Sequence, residues 1–166
     1  MAAITARAGY MMGDKIEQTW AEDDAVAWEG LLEAARTFRR GAEAALEQRH
    51  ELSISMLGVM GRLVRAPENT LRQTDLADAM GLSLSRISRI IDILETRGFV
   101  KRQPCPSDAR ATNVTLTSTG RTRTIASQDT IYGYVNTLFI EQLTEAERTT
   151  LAAVFTRLLT QSTRYR

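Results

Sequence analysis

Between Leu71 and Gly98 the sequence reads as two helices separated by three residues, and few folds accept that spacing. The first run, Leu71 to Met80, sets Leu76, Ala77 and Met80 on one side, and Thr70 with Gln73 has the spacing of a capping box. Gly81 supplies the left-handed residue on which such a helix ends. Ser83 caps a second run through Arg97, with Leu84, Ile87, Ile90, Ile91 and Leu94 recurring at helical steps as a buried stripe and Gly98 as its stop. A pair of helices joined in this way is a helix-turn-helix.

The flanks bound the fold further. "FVKRQ" and "ATNVTLT" alternate like short strands, with Val114 and Leu116 on one face and Asn113, Thr115 and Thr117 on the other. They are joined by "PCPSDAR", in which Pro104 and Pro106 fix φ and remove two donors. The rest is helical in period: about 24–47, with Trp28, Leu31, Leu32 and Phe38 in step; Ser53 to Arg65, stopped by Pro67; about 118–141, capped by Thr117; and a last helix opened by the Thr144/Glu147 capping box, with Leu151, Val154, Phe155, Leu158 and Leu159 as its stripe. At about 36 Å the first of these is longer than a small core needs, as befits a helix that lies across a partner. The fold class expected is mainly α, with one small β-hairpin following a helix-turn-helix.

Composition narrows the function classes. The net charge of +1 conceals an asymmetry: residues 61–123 hold 11 Arg and Lys against 6 Asp and Glu, and the remainder 10 against 14. A basic middle between acidic flanks suits a nucleic-acid-binding centre. One cysteine, Cys105, excludes an intramolecular disulfide framework and a cysteine-rich zinc site. No apolar run approaches the length of a membrane span or a signal peptide, so a cytoplasmic protein without a membrane partner is expected. H-E-x-x-H, G-x-S-x-G and a phosphate-binding glycine loop are all missing, so neither enzyme activity nor a metal or other cofactor is expected.

With its apolar stripe turned inward, the second helix has Ser83, Ser85, Arg86, Ser88 and Arg89 to present elsewhere. Serines allow close approach and hydrogen-bond bases or phosphates, and arginine makes two bonds to guanine. A hairpin directly after such a helix is a wing. Asp108, two residues before Arg110, is placed to orient the guanidinium, and an arginine on a narrow loop suits the negative potential of the minor groove.

The stretch "LRQTDLADAMGLSLSRISRIIDILETRGFVKRQPCPSDARATNVTLTSTGR" resembles the DNA-binding region of the MarR family, the winged helix-turn-helix regulators of bacteria and archaea. The match covers about residues 50–125, its most specific parts being "LADAMGLSLSRISRIIDILETRGFV" and the Asp-x-Arg before "VTLTSTG". The resemblance implies an obligate homodimer whose terminal helices interleave, with a recognition helix in the major groove of each half-site of a pseudo-palindromic DNA operator. Carried onto this chain, the DNA-binding set is Ser83, Ser85, Arg86, Ser88, Arg89, Asp108 and Arg110. The implied organisation is an N-terminal extension, 1–20, and one domain, 21–166, in which a lobe of about 50–117 sits between dimerisation helices 21–49 and 118–166. Two positions depart from the family pattern: Ala109 replaces the central arginine of Asp-Arg-Arg, and Arg72 stands at the usual Thr or Ser cap.

A repressor released by a small-molecule effector is the implied mode of action. Trp20, Trp28, Phe38, Arg40, His50 and Met56 fall in the region that would line an effector cleft, although Trp, Phe and Met there also read as core or dimer interface. The cations near Cys105 would favour its thiolate, raising redox sensing as a second mode. The alternative to DNA binding is a winged-helix protein-interaction module, against which Arg86, Arg89 and Arg110 argue.

Overall fold

The computed structural model describes residues 21–105 and 108–162, apart from the side chains of Ala109, Arg110 and Ser162; residues 1–20, 106–107 (Pro106 among them) and 163–166 lie outside that set. The chain divides into two compact units, 1–44 and 45–166. Helix α1, Glu22–His50, contributes to both, with Glu22, Asp23 and Asp24 in its first turn and Arg49 and His50 in its last, each charge matched to the helix dipole.

In the second unit, α2 (Ile54–Arg65) starts from Ser53, whose hydroxyl accepts the Met56 N–H at 3.1 Å. It buries Val59, Met60 and Leu63 and ends at Ala66, before Pro67. A 3-10 turn, Pro67–Asn69, leads into strand β1, Thr70–Arg72. This overturns the capping box expected at Thr70. Its backbone is extended, its hydroxyl meets that of Thr115 at 2.9 Å, and β1 pairs antiparallel in the register Thr70↔Thr115, Leu71↔Val114, Arg72↔Asn113. A β-branched residue with a strand edge to join goes there instead of into a helix. Helix α3 therefore begins at Gln73 and runs to Met80.

Gly81, at φ 61° and ψ 35°, closes α3 in the left-handed conformation, and the Leu82 N–H reaches back to the Ala77 carbonyl at 3.0 Å. Ser83 accepts the Arg86 N–H and opens α4, Leu84–Thr96. Gly98, at φ 71°, turns the chain out of α4 into β2, Val100–Cys105, which pairs with β3, Asp108–Leu116. The sheet order is β1-β3-β2, so the hairpin gains a third strand. β2 lies at the sheet edge, where Pro104 costs no ladder bond on the open side. The core joins Leu52, Val59, Met60, Leu63, Leu76, Ile87, Ile91, Leu94, Phe99, Val100, Val114 and Leu116.

Helix α5 (Ser118–Leu138) is capped by Thr117 and packs on α2. Its diluted apolar pattern has a physical account. Thr124 and Ser127 are fully buried, and each hydroxyl donates to the carbonyl four residues back, Gly120 at 2.7 Å and Arg123 at 2.8 Å. Small satisfied hydroxyls let the two helices approach without an unpaired polar group. A 3-10 turn, Ile140–Gln142, precedes α6, Glu145–Ser162, opened by the expected capping box: the Thr144 N–H donates to Glu147 at 2.8 Å and the Glu147 N–H to Thr144 at 3.3 Å. Among the described residues no helix is long and apolar enough to cross a membrane.

Candidate nucleic-acid interface

The surface of α4 follows from its buried side. Ile87, Ile90, Ile91 and Leu94 face the core, which turns Ser85 and Arg89 directly outward. Ser83, Ser85, Arg86 and Arg89 are exposed, and the hydroxyls of Ser83 and Ser85 lie 3.1 Å apart. The first two turns of the helix thus display two small hydroxyls and two guanidiniums. Leu84, expected in the buried stripe, is 52% exposed; the first turn projects beyond the core, whose nearby margin is filled by Met80 and Leu82.

Ser88 is half-buried and already engaged. Its carbonyl and hydroxyl face one guanidinium nitrogen of Arg102, at 3.2 and 3.4 Å. The same arginine, on β2, reaches Asp92 at 2.7 Å and Glu95 at 2.6 Å, while its backbone N–H donates to Glu95 at 2.7 Å. Burial pulls the Arg102 pKa down, but the bonds to Glu95 and Asp92 outweigh it and the net direction is upward. Glu95 is held below the ordinary carboxylate range, first by the Arg102 N–H and then by its side chain. Arg102 fastens the hairpin to α4 and neutralises two carboxylates on it. Sequence reading missed this residue, yet strand alternation carried the signal. Arg102 shares a strand face with buried Val100 and so points at α4.

In the wing, Asp108 is exposed at the start of β3, opposite Cys105, with a register irregularity at Pro104/Cys105. The backbone of Arg110 belongs to β3; its side chain lies outside the described residues. Cys105 is 7% exposed, which denies it the access a reactive thiolate needs.

Of the residues weighed for an effector cleft, Trp28, Phe38 and Arg40 lie in the first unit and His50 and Met56 in the second. Trp20 lies outside the described residues. Trp28 and Arg40 are exposed and Phe38 half-buried along the first unit's part of α1. Met56 packs against the core of the second unit. His50 Nε2 is 2.8 Å from the Thr130 hydroxyl, whose oxygen lies 3.2 Å from the Ala126 carbonyl, and Nδ1 is buried without a partner among the described residues. Burial, then the charges of Arg123 and Arg49, lower the His50 pKa from its usual 6.5. The unfolded chain takes up this proton first. The histidine's contribution is intact above pH 6.5 and is lost as pH falls through the folded value, with a slope of at most about 1.4 kcal/mol per pH unit. Thermal melts from pH 7.5 to 5 should show this decline, and His50→Gln should flatten it.

The family model described as "MarR family" matches residues 66–112, from the end of α2 into β3. AbsC, a MarR family transcriptional regulator from Streptomyces coelicolor, superimposes with a TM-score of 0.80 at 25% identity, covering 90% of this chain and 99% of that one. Residues 66–112 thus carry a segment similar to the MarR family, and the fold is similar to that of its solved members. Sco3205, a family member from the same organism solved in complex with DNA, has a TM-score of 0.77 at 24% identity, over 89% of this chain and 92% of its own. The HTH-type transcriptional regulator YfiV of Bacillus subtilis (strain 168) is 35% identical over 71 residues, 43% of this chain. That match spans 44% of YfiV. The chain shares with these structures a mostly helical fold with a small antiparallel sheet, the fold class expected of it.

Proposed function

We propose that this chain is a MarR family regulator, a sequence-specific, dimeric DNA-binding repressor that occupies a pseudo-palindromic operator and is released by a small-molecule effector. The observation that carries the DNA-binding reading is the exposed first half of α4. Ser83, Ser85, Arg86 and Arg89 stand on one outward surface whose opposite side is locked in the core. With α4 in the major groove, Arg86 and Arg89 reach base edges or phosphates, Ser83 and Ser85 allow close approach, and Ser88 sits back against Arg102. In this reading Asp108 and Arg110 of the wing serve the neighbouring minor groove, whose negative potential suits an arginine.

Two copies are required by the operator symmetry, with half-sites about 34 Å apart. Exposed apolar side chains support a dimer: Ile125, Tyr132 and Leu138 on α5, and Phe155 and Leu158 on α6. A second chain would cover them. Repression follows from promoter occupancy, and release from an effector that favours a spacing unsuited to the operator, with Trp20, Trp28, Phe38, Arg40, His50 and Met56 as candidate contacts. The protein works in the cytoplasm and catalyses no reaction.

Gel-shift titration against a selected site at several salt concentrations tests the interface. Arg110→Ala should weaken binding to all sequences and lower the salt slope by about 1. Arg89→Ala should cost about 1–3 kcal/mol and relax preference at one base pair in each half-site. Indifference of both variants would favour a protein-interaction module.

A further inference from the structure

We infer that Leu84 is a specificity-determining residue that reads the 5-methyl group of a thymine in each half-site. The inference rests on the DNA-binding reading above and adds a chemical preference to it. An exposed leucine alone needs no explanation; the position of this one supplies it. Leu84 is the first residue of α4 and 52% exposed, although its spacing to Ile87 and Ile91 would suit the buried stripe. Met80 and Leu82, close to it in sequence, are the side chains there that pack against the core. Its sequence neighbours Ser83 and Ser85 are small, and their hydroxyls pair with each other at 3.1 Å rather than arching over the leucine. The other large exposed aliphatic residue of α4, Ile93, lies nine positions on, about 13 Å further along the axis, beyond the N-terminal turns with which a recognition helix meets base edges.

The chemistry then selects the base. In the major groove the thymine methyl is the apolar group on offer. Against cytosine, which has no methyl there, a leucine at that point loses this apolar contact. One buried methyl corresponds to about a fourfold change in affinity per half-site, and about fifteenfold when both half-sites are altered.

The test begins with selection of a binding site from random duplexes by the full chain. Each thymine of that site is then replaced singly by deoxyuridine, which differs only in the missing methyl. One position per half-site should weaken wild-type binding about fourfold, and Leu84→Ala should bind thymine and deoxyuridine equally there. Because Leu84 is exposed, that variant should melt with the wild type. Wild-type binding indifferent to every deoxyuridine, or a Leu84→Ala variant with unchanged sensitivity, would overturn the inference while leaving the DNA-binding reading intact. A change in sedimentation mass on Leu84→Ala would overturn it as well, by assigning the leucine to a contact between chains. Failure to select any sequence would instead remove the reading on which it rests.

Discussion

Replacing Gly120 with alanine should prevent the second unit from folding. A Cβ on Gly120 would lie 2.0 Å from the carbonyl oxygen of Phe99, 2.9 Å from its carbon and 2.9 Å from a methyl of Leu116. The oxygen has no freedom to retreat. It accepts the Thr117 N–H at 3.0 Å and the Thr117 hydroxyl at 3.1 Å, and that hydroxyl also donates to the Gly98 carbonyl at 2.7 Å while accepting the Gly120 N–H at 3.0 Å. Ordinary overpacking costs about 1–3 kcal/mol because side chains give way. Here backbone meets backbone, and relief means lifting α5 off the lobe, so the expected loss is at least about 4 kcal/mol against a total of about 5–15. Circular-dichroism melts should show a Gly120→Ala protein unfolded at ambient temperature or lost to aggregates. Gly133→Ala in the same helix, where nothing lies within 4 Å of the new Cβ, should hold or raise the melting temperature. A well-folded Gly120→Ala protein would contradict this account of the junction.

Removing the arginine that fastens the wing should separate stability from DNA binding. The Arg102 side chain is 24% exposed, but its partners are 39% (Glu95) and 60% (Asp92) exposed, so solvent screens much of the attraction. Arg102→Met, which keeps the apolar stem, should lower stability by only about 1 kcal/mol. Affinity for the selected operator should fall about tenfold or more, because two carboxylates on the recognition helix lose their counter-charge near the phosphates and β2 loses its side-chain hold on α4. Adding Asp92→Asn and Glu95→Gln should recover the electrostatic share and leave the share due to wing placement. A pH signature accompanies the change. With its folded pKa depressed, Glu95 adds stability above the unfolded carboxylate value, and this is lost as pH falls through the folded one. The backbone N–H of residue 102 survives the substitution, so Arg102→Met should shrink that acid loss without abolishing it. Equal operator affinity for Arg102→Met and wild type would remove the arginine from the interface.

What could be read from the residues in advance divides along the range of the forces involved. Gly81, Ser53, Ser83, Thr117 and the Thr144/Glu147 pair act within a few residues of themselves, and each ends or opens a helix as its chemistry dictates. Thr70 also carried a local signal, a capping spacing, but lost it to a partner 45 positions away on β3. Local pattern cannot weigh an edge that exists only once the hairpin has formed. Leu84 failed for the opposite reason: its period was right, but the helix outruns the core by one turn. The outward set on α4 was legible because Ile87, Ile90, Ile91 and Leu94 define the inward side without ambiguity. The engagement of Ser88 was hidden because it depends on an arginine from another element.

The way α5 begins has a mechanical consequence. Its cap residue and its third residue are both seated on the carbonyl of Phe99, the residue through which α4 passes into the wing. That joint leaves little slack, so a twist applied far along α5 would be passed to the sheet rather than absorbed there. Because Arg102 couples the sheet to α4, the exposed face of α4 would turn with it, as a lever passes on a push through its fulcrum.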